Sequence, residues 1–80
     1  MKTDTAEKLN EVFRRVFGDD SLIVAPETAA ADVDGWDSFS HVTLVLAIEA
    51  RFGVRFSQKE LLSFRNVGDI AACLEKKAAG

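Results

Sequence analysis

Leu9, Val12, Phe13, Val16 and Phe17 recur at offsets of 0, 3, 4, 7 and 8, the spacing of an apolar stripe along one side of a helix. Asp4 with Glu7 predicts a capping box at its start, and Gly18 predicts its end. From Gly18 to Trp36 no period is sustained and Pro26 interrupts the chain, which predicts a long connection broken by short helical turns. A second helix is predicted from Asp37 and Ser38 to Phe52, with Gly53 as terminator. On a wheel of ~100° per residue, Leu44, Val45, Ile48 and Phe52 form one apolar strip and Phe39, Val42 and Leu46 a neighbouring one. A helix packed on one side needs a stripe little wider than ~100°. Either this helix is buried on most sides, or its second strip meets something else.

Beyond Gly53, Val54 and Phe56 alternate with Arg55 too briefly for a strand and read as a core-anchored loop. Ser57 and Glu60 form an S-x-x-E box opening a short helix that carries Leu61, Leu62 and Phe64. Asn66 with Asp69 repeats the device before a last helix, with Val67, Ile70, Ala71 and Leu74 inward and Lys76 and Lys77 at its negative end. The expected architecture is all-α: a small four-helix bundle, three main helices and one short one, with a long loop between the first and second.

Composition narrows the possibilities. Eighty residues suit a single domain, 1–80, with a modest core and little room for a deep cleft. The net charge of −3 argues against nucleic acid, whose binders present a basic face to phosphates. One cysteine, Cys73, and one histidine, His41, rule out an internal disulfide and a structural zinc site, and no metal-ligand spacing occurs. No apolar run reaches the ~20 residues of a membrane span, so the expectation is a cytoplasmic monomer that does not insert into membranes. Asp19, Asp20, Glu27, Asp32 and Asp34 crowd the connection, Asp37 lies just beyond it, and no Lys or Arg falls between Asp19 and Asp37. That acidic lobe is either a solvated loop or a surface that steers basic partners.

Catalytic candidates are few. His41 lies three residues after Ser38, within reach for a nucleophile and base pair. No Gly-rich turn offers an oxyanion hole, so the expectation is that the chain is not an enzyme. Attention falls instead on Gly35-Trp36-Asp37-Ser38-Phe39. Asp37 is a good N-cap, which leaves Ser38 in the first turn among unpaired backbone N–H groups. The segment is an ordinary capped helix start, or it presents a serine to carry a phosphate group, which a helix N-terminus accommodates. Trp36 is either a loop anchor or a contact residue.

Residues 35–56, GWDSFSHVTLVLAIEARFGVRF, resemble the acyl carrier proteins and the related peptidyl carrier domains. Asp37, Ser38, Val42, Leu44, Glu49 and Phe52 fall where that family places its Asp-Ser, spaced aliphatics, Glu and Phe, and the starts of the two later helices match as well. The resemblance covers nearly the whole chain. It implies that Ser38, with Asp37 beside it, receives 4′-phosphopantetheine covalently from coenzyme A through a phosphopantetheinyl transferase. The arm's thiol would hold acyl groups as thioesters for acyl- or aminoacyl-activating and acyl-transferring enzymes. On this reading Phe39, Val42, Leu46, Trp36, Asp34 and Glu49 border the arm or meet partners.

Phe39 stands where the family usually has leucine. Ser40, Thr43 and Ala50 are uncharged, which leaves Glu49 as the helix's single interior acid. Both departures favour a specialised free-standing carrier over one serving primary fatty acid synthesis. The alternatives are a peptidyl or aminoacyl carrier of nonribosomal synthesis, or an unmodified helical interaction domain whose Phe39, Val42 and Leu46 strip binds a partner helix.

Overall fold

A computed structural model describes residues 2–79, with side chains through Lys77. Four α-helices follow one another as α1 (Thr3–Phe17), α2 (Ser38–Phe52), α3 (Gln58–Ser63) and α4 (Val67–Ala79), with a 3₁₀ turn at Ala30–Asp32 in the long α1–α2 connection. The expected all-α bundle is what the chain forms.

The helix ends show how local chemistry sets these bounds. α1 starts two residues earlier than the Asp4–Glu7 box implies, at Thr3 after Lys2, and no side chain caps it. Asp4 therefore sits inside the first turn, so the expected box with Glu7 does not form. Asp4 instead pairs with Lys8 one turn on, at 3.3 Å, and complements the positive end of the helix. Gly18 and Gly53 both end their helices in the left-handed conformation, with φ of 62° and 66°. At α3 the Ser57–Glu60 box closes in both directions, Glu60 N–H to Ser57 Oγ at 3.1 Å and Ser57 N–H to Glu60 Oε1 at 2.7 Å. At α4 Asn66 Oδ1 accepts from Asp69 N–H, but Asp69 reaches one residue further back, to Arg65 N–H.

Leu9 and Phe13 of α1, Leu44 and Ile48 of α2, and Val67, Ile70, Ala71 and Leu74 of α4 meet in a core that excludes solvent almost completely. Val54 and Phe56 pack against its edge, and Phe56 meets Phe64 edge-on at 5.2 Å. The α1–α2 connection adds two anchors without any periodic signal, Val24 and Val33, both buried.

Polar groups pin that connection in place. Asn10 Oδ1 accepts from Val24 N–H at 2.7 Å, and Arg14 Nε donates to the Leu22 carbonyl at 2.7 Å. At the other side, the first N–H groups of α4, on Val67 and Gly68, donate to the carbonyls of Thr28 and Pro26 at 2.8 and 2.7 Å. The loop thus satisfies donors that a helix start leaves free, and it delivers residues 33–37 to the top of α2 in a fixed position.

Candidate functional site

Asp37 begins α2. Its carboxylate accepts from the N–H groups of Phe39 and Ser40, each at 3.0 Å. The Ser40 hydroxyl answers by accepting from Asp37 N–H at 2.7 Å and donating to the Gly35 carbonyl at 2.6 Å. The backbone N–H of Ser40 first, then its hydroxyl, hold the Asp37 carboxyl below its ordinary range. Ser40 is therefore half of a reciprocal cap, a role that its place inside the helix pattern concealed. Gly35, at φ 86°, supplies the left-handed residue from which its carbonyl turns toward Ser40.

This arrangement consumes the hydroxyl of Ser40 and leaves that of Ser38. Ser38 is the first residue of α2 and is exposed, and among the described residues no side-chain hydrogen bond engages its Oγ. Trp36, just before it, is half-buried and meets Phe13 edge-on at 5.3 Å and Phe17 at 6.2 Å. It anchors the loop to the core. The same indole donates its N–H to His41 Nδ1 at 3.1 Å. Trp36, Ser38 and His41 line an open groove of about 500 Å³ together with Phe64, Arg65 and Asn66.

His41 thus has an orienting partner, although the sequence offers no sign of one. No hydrogen bond joins it to Ser38 among the described residues. Phe39, Val42 and Leu46 are exposed by 89, 60 and 60%, so the second apolar strip of α2 faces away from the bundle while Leu44, Val45 and Ile48 are buried. Of the remaining candidates, Asp34 is exposed. Glu49 is half-buried, and its Oε2 accepts from Phe56 N–H at 2.8 Å, fastening the α2–α3 loop. Asp19 and Asp32 are likewise engaged locally, with Ser21 and with Ala29 N–H. Among the described residues no group of three or more His, Cys, Asp or Glu side chains could hold a metal ion, and no helix is long and apolar enough to cross a membrane.

The family model for the phosphopantetheine attachment site matches residues 7–74. The chain belongs to the acyl carrier protein family. An acyl carrier protein of Solidesulfovibrio magneticus is 33% identical over 72 residues, which span 90% of this chain and 92% of that one. The meromycolate extension acyl carrier protein of Mycolicibacterium aurum is 32% identical over 85% of this chain and 70% of its own. The solution structure of a holo acyl carrier protein from Geobacter metallireducens superposes with a TM-score of 0.89 at 42% identity, covering 96% of this chain and 88% of that one.

Family membership makes covalently bound 4′-phosphopantetheine the cofactor of this carrier. The top of α2 fits such a group: a free exposed hydroxyl on a helix tip that accommodates an anion, beside a groove with room for an extended arm.

Proposed function

We propose that Ser38 carries the arm and that the chain works as a single carrier domain, a cytoplasmic monomer that shuttles acyl groups between biosynthetic enzymes without catalysing a reaction itself. The observation that carries this reading is the division of labour at the head of α2, where Asp37 and Ser40 cap the helix and leave the adjacent Ser38 hydroxyl exposed. The phosphopantetheine thiol supplies thioester chemistry when the arm is bound. The protein contributes a rigid, solvent-facing attachment point whose surroundings partner enzymes can read.

Phe39, Val42 and Leu46 project beside that point and form the contact strip for a phosphopantetheinyl transferase and for acyl-loading and acyl-transferring enzymes. Asp34 adds charge to the approach; Glu49 belongs more to the loop it fastens than to a partner. The neutral Ser40, Thr43 and Ala50 and the phenylalanine after Ser38 favour a carrier in specialised acyl, polyketide or related synthesis.

Incubation with coenzyme A and a broad-specificity transferase, read by intact mass, tests the assignment. One phosphopantetheine adduct is expected on the wild type and none on Ser38→Ala. An adduct that survives Ser38→Ala places the arm elsewhere.

A further inference from the structure

An indole N–H donates and cannot accept, so its bond to His41 Nδ1 requires that nitrogen to be unprotonated. The neutral imidazole then carries its hydrogen on Nε2, a tautomer assigned from the bonding partner. The two rings lie within 14° of parallel with centroids 6.1 Å apart. Because an indole N–H points along its own ring plane, this bond sets the rings edge to edge, and Nε2 faces away from Trp36. Trp36 is held by Phe13 and Phe17, so the orientation of His41 is inherited from the core.

His41 follows Ser38 by three residues on α2, the spacing that puts two side chains on one helix face, and both border the same groove. Among the described residues Nε2 makes no hydrogen bond, and no buried side-chain nitrogen or oxygen lacks one, so this donor opens to the groove or to solvent. Of the charged groups at the groove, Asp37 is turned into the cap, and Arg65 is highly exposed and lies 3.7 Å from Asp69. Ser40 is nearer in sequence but spends its hydroxyl on the Gly35 carbonyl, which leaves the Nε2–H of His41 as an oriented side-chain donor with no partner among the described residues.

We propose that His41 binds the arm, its Nε2–H donating a hydrogen bond to an oxygen of the phosphodiester on Ser38, with Trp36 as the positioning residue that sets tautomer and direction. The proposal rests on the assignment of the arm to Ser38. A donor fixed before modification gives a charge-assisted bond at little ordering cost.

The test uses intact holo protein as wild type, His41→Gln, His41→Ala and Trp36→Phe, each modified to completion by mass. In ³¹P spectra, the wild-type phosphodiester resonance is expected to be displaced from its position in the denatured holo protein. That displacement should be retained in His41→Gln, which keeps an N–H donor, and lost in His41→Ala. Long-range ¹H–¹⁵N spectra should show the Nε2–H tautomer in both apo and holo wild type, with the Nε2 resonance moving on modification, and a mixture of tautomers in Trp36→Phe. Identical phosphorus resonances in wild type and His41→Ala, or an Nε2 signal unmoved by modification, would overturn the proposal while leaving the carrier reading intact. A wild type that accepts no arm would remove both.

Discussion

Ser38 and Ser40 are chemically alike and two positions apart, yet the fold engages one hydroxyl and leaves the other exposed. Ser40 closes the Asp37 cap and Ser38 is spared, a distinction set by which hydroxyl points back over the first turn. A comparable economy holds at Glu60. Its carboxylate accepts from Ser57 N–H, from Lys77 Nζ at 3.0 Å and from the Cys73 thiol. The Ser57 N–H first, then Lys77, lower its pKa from the ordinary 4.5 to about 2. Burial, and then Glu60 itself, push the Cys73 thiol up, and its Sγ donates to the Glu60 carboxylate. Because the Glu60 pKa is depressed in the folded state, its stabilisation is present in full above 4.5 and is lost as pH falls toward 2. Thermal unfolding of Glu60→Gln should therefore start below wild type near neutrality, with the gap closing across that window. A gap that stays constant in acid would contradict the assignment. The sequence displayed the Ser57–Glu60 box and the Asp37 cap, because both are local. It could not display the Trp36–His41 bond or Lys77 closing on Glu60, since these depend on how helices and loops come to lie together.

At the scale of elements, the helices were legible wherever apolar period and glycine stops agreed, as in α2 from Ser38 to Gly53. The start of α1 was misread because Asp4 and Glu7 satisfy a box pattern that the backbone does not use; helix ends depend on φ and ψ that composition constrains weakly. The long connection was legible only as irregular. What fixes it is a set of single polar reaches, Asn10 to Val24, Arg14 to Leu22, and the Pro26 and Thr28 carbonyls to α4, none of which leaves a repeating trace. Gly68 is where the connection presses closest on α4. A Cβ there would lie 2.8 Å from the Pro26 carbonyl oxygen. In an open helix Gly→Ala gains about 1 kcal/mol; here the clash reverses the sign, and Gly68→Ala should lose about 1–3 kcal/mol in urea titration. A stabilised variant would show that the loop does not press on α4 as described.

For the whole molecule, the decisive feature is the split in α2, with Leu44 and Ile48 sealed in the core and Phe39 on the surface beside Ser38. The excess width of its apolar arc anticipated the split, since one helix can pack only part of such a surface into a small bundle. Phe39→Asp should keep stability within about 0.5 kcal/mol of wild type while cutting transferase kcat/KM about tenfold, the loss expected of an interface anchor. Unchanged kcat/KM would place the docking surface elsewhere on the bundle.

The head of α2 leaves one hydroxyl free and exposed, that of Ser38, the proposed attachment point. Peptide mapping of transferase-treated protein by tandem mass spectrometry tests it most directly. The whole phosphopantetheine mass is expected on the peptide holding Ser38 and on that residue alone. Full-length folded protein that stays unmodified under conditions where another carrier is converted to completion, or an arm on any other side chain, would contradict it.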